Sequence, residues 1–340
     1  MSKLLARIRF VAGPLALLMM VAVMAPSDAQ QRNPDGTPNP TASAVDEQEL
    51  LRQLPRIEGR IDIPNPREAV LIQPAGRTWD YFHEVILHWL GAIVILGMVA
   101  VLAIAYLLMG RIRMSAGRSG VEVPRFNGFE RFSHWLNAVS FVVLGLTGLN
   151  ITFGKIVLLP IIGPDRFSDL SQAAKYVHNF VSFSFVAGLV LIVALWIKDN
   201  IPRQVDITWL KEGGGFIKSK HPTAGRFNAG EKLVFWFALG AGAVVIVSGY
   251  LLMFPFYLTN IAGMQVAQVL HAVTAVFFIA VILAHIYIGT LGMEGAFEAM
   301  GKGTVDLNWA KEHHGLWLEE ETTRRAGNDT RGEPWATPAE

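Results

Sequence analysis

Cysteine is absent from this chain of 340 residues. Its absence excludes disulfide bonds, a thiolate nucleophile, cysteine-ligated zinc, iron–sulfur clusters bound by this chain and covalent haem attachment. Charge is scarce too: 17% of the residues are charged and 52% are hydrophobic, whereas soluble domains average about 25% charged. This balance predicts a membrane protein. The net charge of +1 gives no indication of a nucleic-acid partner.

The N-terminus has the pattern of a secretory signal peptide. A basic start precedes an apolar run over 11–25, and small residues favour cleavage after Ala29. An uncleaved anchor helix is the alternative, although the apolar run is short for a stable span. We therefore predict a signal peptide at 1–29, followed by an exported, polar and mostly loop-like segment at 30–78.

Five apolar stretches follow, each long enough to cross a bilayer as a helix. They are predicted at about 83–109, 132–153, 175–197, 233–254 and 264–291. Basic residues concentrate in the loops 110–130 and 198–230 and in the C-terminal tail, which the positive-inside rule places in the cytoplasm. An exported N-terminal segment predicts the same topology. The mature N-terminus is thus expected outside and the C-terminus in the cytoplasm.

The last apolar stretch carries two histidines, His271 and His285, fourteen residues apart. In a helix this spacing separates them by about 21 Å along the axis and about 40° around it, so they share one face. His134, near the cytoplasmic face, matches the depth of His285, and these two are called the inner pair. His178, near the opposite face, matches His271, and these two are called the outer pair. Ionisable residues within spanning helices are costly, which makes all four functional candidates.

Two facing imidazoles without a carboxylate are the donors that axial ligation of a haem iron requires. Zinc usually needs a third or fourth protein ligand, and a proton relay is expected to include buried acidic residues. Hydrogen-bonded packing is the alternative for any single histidine. Small residues stand near the proposed haem levels and would leave room for a macrocycle or for close helix contacts. They are Gly145, Gly148, Gly188, Gly249 and Gly289.

Asn228 lies at the start of the fourth predicted span. Its side chain could cap the helix, or its amide could bind a quinone carbonyl. Three cations are possible partners of haem propionates by depth: Arg131, Lys175 and Lys232.

The other histidines have less specific surroundings in the sequence. His83 and His88 lie at the outer edge of the first span, a position that favours interfacial packing over a role near the outer haem. His221 is expected to be solvated, and a partner contact or plain exposure suffices for His313 and His314 in the tail.

Several short pieces of the chain, taken together, resemble the gamma subunit of membrane-bound formate dehydrogenase, a di-haem cytochrome b. Their order and spacing across residues 125–320 make the set specific. The tail piece favours this family over hydrogenase cytochromes b. The pieces are Glu130–Trp135, Lys175–His178, Ile201–Trp209, Phe227–Trp236, Val269–Ala272, Ala284–Tyr287 and Trp309–Trp317.

The resemblance implies two haems b, the inner one on His134 and His285 and the outer one on His178 and His271. It implies electron transfer from an iron–sulfur beta subunit to a quinone, menaquinone or ubiquinone, at the cytoplasmic side near His285 and Asn228. Formate oxidation would belong to an alpha subunit containing molybdenum or tungsten. The chain would thus be the quinone-reducing subunit of an enzyme complex in the bacterial inner membrane.

The expected fold is an all-α transmembrane helix bundle with a four-helix di-haem cytochrome b core at 125–292. An extra span at 79–110 precedes the core, and a cytoplasmic tail at 293–340 follows it. The extra span and the exported segment depart from the compact family members, which have four spans. The alternatives are the cytochrome b of a hydrogenase or another molybdoenzyme and, in a different class, a haem-free anchor or proton-path transporter.

Overall fold

The computed structural model describes residues 57–60, 70–73, 76–214, 222–328 and 337–338. The predicted signal peptide and His221 lie outside the described residues.

The protein is an all-α integral membrane protein, as predicted. Among the described residues, five helices are long and apolar enough to cross a membrane, and they are called the first to fifth spans. These are Trp79–Met109, Gly128–Val157, Pro164–Trp196, Ala229–Met253 and Ile261–Gly292. Each coincides with one of the apolar stretches identified in the sequence to within a residue at one end or extends beyond it.

The third span shows why the helices exceed their apolar cores. It begins at Pro164, directly after Gly163 with a φ of 79°. Proline suits the first helical position because its missing N–H would have no partner there, and Asp165 in the first turn complements the helix dipole. The helix therefore starts well before the apolar stretch, within the residues that the sequence predicted as a loop.

The second span is fixed at its start by a capping box. The side chain of Asn127 accepts hydrogen bonds from the N–H groups of Phe129 and Glu130, and Glu130 Oε2 accepts one from the N–H of Asn127. The other Glu130 oxygen accepts hydrogen bonds from Trp196 Nε1 at 3.0 Å and from Arg226 Nη2 at 2.5 Å. This buried carboxylate thereby ties the start of the second span, one turn before His134, to the end of the third.

Two small sheets accompany the helices. In the region predicted as mostly loop, β1 (Ile57–Arg60) pairs antiparallel with β2 (Val70–Gln73). In the second sheet, β3 (Val121–Pro124) lies between β4 (Thr304–Asp306) and β5 (Thr337–Pro338). The C-terminal residues are therefore joined by backbone hydrogen bonds to the segment before the second span.

The chain divides into two compact units. The larger comprises Leu102–Ile246 and Phe278–Glu340, and the smaller comprises the described residues up to Val101 together with Val247–Phe277.

Inside the larger unit, aromatic packing positions the last part of the fifth span. The ring of Phe278 is 2% exposed and lies 4.6 Å from the ring of Phe141 and 6.3 Å from that of Phe185, measured between centroids. These rings belong to the second and third spans, so Phe278 holds the fifth span against both. His285 follows two helical turns later, on a segment that this packing anchors.

Candidate functional site

The inner pair meets within the larger unit. The ring centroids of His134 and His285 lie 6.3 Å apart, and the ring planes are inclined by 56°. A nitrogen about 2 Å from a metal on each side of it would place two imidazole centres about 6 Å apart. The structure thus brings together the two histidines that the sequence placed at one depth. Their service as ligands remains a prediction.

The surroundings of His134 leave one ring nitrogen unused. Its Nδ1 is buried and makes no hydrogen bond with any part of the chain that the structure describes. The edge of Trp135 lies against the ring, with 5.4 Å between centroids. In the described ranges, no group of three or more His, Cys, Asp or Glu side chains is arranged to hold a metal.

Hydrogen bonds from the second span to the segment after the fifth span support the inner pair. Trp135 Nε1 donates to the carbonyl of Met300 at 3.0 Å, and Arg131 Nε donates to the same carbonyl at 3.2 Å. Arg131 Nη2 also donates to the carbonyl of Gly301. Arg131 therefore already has backbone partners, which weakens its assignment as a propionate partner.

Lys232 is likewise committed to protein partners. Its Nζ lies 2.8 Å from Asp206 Oδ2 and donates to the carbonyl of Ile201 at 3.1 Å. This buried ion pair satisfies the ammonium group without a propionate. Lys175 is exposed on the third span, and its predicted role stays a prediction.

The outer histidines have similar immediate surroundings, each in its own unit. His178, in the larger unit, has Nδ1 2.9 Å from Thr147 Oγ1. His271, in the smaller unit, has Nδ1 3.2 Å from Ser248 Oγ. No motif or spacing in the sequence singles out either hydroxyl. The pairing of His178 with His271 across the two units stays a prediction.

The two histidines of the first span pack within the smaller unit. The ring of His83 stacks on Trp79 at 5.1 Å and meets the edge of His88 at 6.5 Å. His83 Nε2 lies 3.0 Å from Gln268 Nε2, which joins the first span to the fifth. These contacts agree with the packing role favoured from the sequence.

Asn228 caps the fourth span. Its Oδ1 accepts a hydrogen bond from the N–H of Glu231 at 2.9 Å, and Glu231 Oε2 accepts one from the N–H of Asn228 at 2.8 Å. The capping interpretation is therefore confirmed. The quinone interpretation stays a prediction, and it needs the amide NH₂ group, which the cap does not use.

His314 corrects an expectation drawn from the sequence. Plain exposure or a partner contact was expected in the tail, yet this side chain is fully buried. Its Nδ1 donates to the carbonyl of Gly225 at 2.8 Å, and its Nε2 accepts from Arg125 Nη2 at 3.1 Å. Burial first, and then the charge of Arg125, hold the pKa of His314 well below its ordinary value.

Arg125 is the centre of this buried assembly, here called the Arg125 cluster. Its guanidinium carbon lies 5.1 Å from the ring centroid of Phe126, 5.3 Å from that of Trp309 and 5.1 Å from that of Trp317. Burial lowers the pKa of Arg125 to about 10, which leaves it charged at neutral pH. Because Trp309 and Trp317 come from the tail, the cluster fastens the helical segment Leu307–Asn328, which is kinked at His314, to the residues just before the second span.

A multi-pass helical membrane protein with histidines facing each other between its spans is the class that this architecture defines. Residues 125–303, more than half of the chain, match the family of prokaryotic cytochrome b561. The chain belongs to this family, and membership implies that it holds haem b.

Curated relatives carry more specific names. The cytochrome b556(fdo) subunit of formate dehydrogenase from Escherichia coli K12 is 31% identical over 202 residues, which are 58% of this chain and 92% of the relative. The cytochrome b556(Fdn) subunit of the nitrate-inducible formate dehydrogenase from the same strain is 28% identical, over 58% of this chain and 91% of the relative. The formate dehydrogenase cytochrome b556 subunit from Haemophilus influenzae is 28% identical, over 60% and 85%.

The inner pair fits the cofactor that the family implies. Axial ligation of haem needs two neutral nitrogen donors on opposite sides of the iron, with no carboxylate between them. His134 and His285 offer such donors at a suitable separation, and the unbonded Nδ1 of His134 shows that its ring is not consumed by protein contacts.

Proposed function

We propose that this chain is the cytochrome b subunit of a respiratory formate dehydrogenase in the bacterial inner membrane. The observation that carries the proposal is the 6.3 Å approach of the His134 and His285 rings on two spans. The names of the curated relatives support the choice of formate dehydrogenase within the family.

In this proposal the chain binds two haems b. His134 and His285 hold the inner haem, and His178 and His271 hold the outer haem. Haem supplies a one-electron carrier at each level when bound. The protein's part is to fix four imidazole nitrogens and to exclude water around them, which the apolar spans support.

Quinone reduction is assigned to the inner side. A quinone takes up two electrons and two protons, and the family resemblance implies that it takes them from the inner haem and from the cytoplasm. Asn228 suits this task because the cap orients its side chain at the start of the fourth span and leaves the amide NH₂ as a donor for a quinone carbonyl. Menaquinone and ubiquinone both have such carbonyls.

The other subunits follow from the chemistry that this chain lacks. Formate oxidation releases two electrons, a proton and carbon dioxide, and a molybdenum or tungsten alpha subunit would carry it out. An iron–sulfur beta subunit would pass the electrons to the outer haem, because this chain has no cysteine to hold a cluster.

The proposed organisation retains the boundaries inferred from the sequence. A signal peptide at 1–29 and an exported segment at 30–78 precede an extra span at 79–110. The di-haem domain at 125–292 and a tail at 293–340 follow. The mature N-terminus lies outside and the C-terminus lies in the cytoplasm.

Affinity purification of the intact complex through a tag on this chain tests the proposal. We expect co-purifying iron–sulfur and molybdenum or tungsten subunits, a b-type absorbance that formate reduces, and reoxidation on addition of a quinone analogue. A chain without b-type absorbance would refute the haem assignment. Reduction by hydrogen but not by formate would refute the assignment to formate dehydrogenase and favour a hydrogenase cytochrome b.

A further inference from the structure

Each outer histidine is contacted by a hydroxyl residue and by the glycine that follows it. Thr147 and Gly148 of the second span face His178 of the third, within the larger unit. Ser248 and Gly249 of the fourth span face His271 of the fifth, within the smaller unit. The same two-residue pattern thus occurs twice, on different helices.

The hydrogen bonds at Thr147 determine the tautomer of His178. Its hydroxyl lies 2.8 Å from the carbonyl oxygen of Val143 and 3.1 Å from that of Leu144, so its single proton is directed to its own helix. The hydroxyl oxygen must then accept the 2.9 Å hydrogen bond from His178 Nδ1–H. A neutral imidazole protonated on Nδ1 carries its lone pair on Nε2, which can bind a metal.

Ser248 Oγ lies 3.2 Å from His271 Nδ1, close enough for a hydrogen bond like the one at Thr147. The following residue, Gly249, leaves the space that the ring fills. A Cβ atom at Gly249 would lie 3.0 Å from His271 Cε1, whereas one at Gly148 would lie 3.5 Å from His178 Cε1. The hydroxyl orients the imidazole, and the glycine allows it to approach the neighbouring helix.

We propose that Thr147 and Ser248 are positioning residues for the outer haem, and this proposal rests on the proposed function. Each hydroxyl accepts the Nδ1–H of one ligand, fixes the ring orientation and directs Nε2 to the iron. A hydrogen bond from Nδ1–H, on the ring nitrogen that does not bind iron, also makes the ligating Nε2 more basic. A more basic ligand favours ferric iron and lowers the reduction potential of the haem.

The hydroxyls can be removed with little change in shape. Thr147→Val and Ser248→Ala should each raise the reduction potential of the outer haem by up to about 59 mV. This shift corresponds to about a tenfold change in the one-electron equilibrium constant. The inner haem should keep its potential. Redox titration of the purified complex, followed by optical and low-temperature EPR spectra, measures both haems.

Two controls separate this effect from altered packing. Thr147→Ser keeps a hydroxyl and should restore the wild-type potential. Thr290→Val removes a hydroxyl that bonds the carbonyl of Ile286 in its own helix, and it should leave the outer haem unchanged. If the Thr147→Val variant no longer binds the outer haem while the Thr147→Ser variant still binds it, the positioning role is supported as well.

The outcomes also separate this inference from the proposed function. A wild-type complex with two haems, whose potentials stay the same in both hydroxyl variants, would overturn the inference alone. A shift of the inner haem equal to that of the outer one would overturn it too. A wild-type protein without two b-type haems would refute the proposed function itself.

Discussion

Two regions of the larger unit contain histidines on or beside the spans, and the ring nitrogens of His314 and His134 are used differently. In the Arg125 cluster, both nitrogens of His314 are occupied, one by the carbonyl of Gly225 and one by the guanidinium. In the inner pair, His134 faces His285, and its Nδ1 makes no hydrogen bond with the described part of the chain.

The difference shows that burial alone does not identify a ligand histidine. His314 is the more deeply buried residue, yet it serves as a cross-link between the tail and the segment before the fourth span. A histidine can bind a metal only while one nitrogen keeps its lone pair free of hydrogen-bond donors. Nδ1 of His134 makes no hydrogen bond with the described part of the chain, whereas both ring nitrogens of His314 are occupied.

The largest expected effect is that of His285→Ala. Loss of an axial donor should remove the inner haem and quinone reduction, while the outer haem remains. His314→Ala is the matched control, because it removes another histidine of the larger unit and should leave both haems bound. Haem content and redox difference spectra of the two variants measure this. Retention of both haems in His285→Ala, or loss of one in His314→Ala, would remove the distinction between the two regions.

Arg125→Met should lower the free energy of unfolding by at least about 2 kcal/mol, because three aromatic contacts and hydrogen bonds to a charged donor are lost. Arg118→Met is the control. The Arg118 side chain is 51% exposed beside Glu298, and such surface pairs contribute about 1 kcal/mol or less. Thermal unfolding in detergent compares the two variants. Equal losses of stability would mean that the Arg125 cluster does not anchor the tail.

Glycine substitutions should distinguish the two outer histidines. Gly249→Ala would place a Cβ 3.0 Å from His271, which forces the ring to move, whereas Gly148→Ala would make an ordinary 3.5 Å contact with His178. We expect reduced occupancy or an altered spectrum of the outer haem in the first variant and nearly wild-type behaviour in the second. The reverse order would contradict the described geometry.

The smallest effect is a dependence of stability on pH. The unfolded tail binds a proton on His314 as the pH falls through about 6.5, whereas the buried residue resists protonation. Its contribution is therefore fully present above that pH and declines on acidification, by at most about 1.4 kcal/mol per pH unit. Hydrogen exchange of the C-terminal helix between pH 5 and 8 should show this slope, and His314→Gln should flatten it.

The spans and the inner pair could be predicted because their signals are local. Apolar length indicates a spanning helix, and a histidine within such a helix is unusual enough to be noticed. Helical periodicity then placed His271 and His285 on one face. The approach of His134 to His285 in the structure agrees with the depths derived from the sequence.

The remaining features arise from tertiary packing, which composition does not reveal. The tail is polar on average, so the burial of His314 against Arg125 was missed, although Trp309 and Trp317 were a signal for it. Thr147 was missed because a threonine in a spanning helix ordinarily bonds a carbonyl of its own helix. Only the neighbouring span shows that its oxygen also accepts from a histidine.

The number of haems that the purified wild-type chain binds tests the di-haem assignment most directly. Pyridine haemochrome absorbance, divided by protein from quantitative amino-acid analysis, gives this ratio. We expect two non-covalently bound haems b for each chain. A ratio of one or zero in an intact, folded complex would contradict the di-haem assignment.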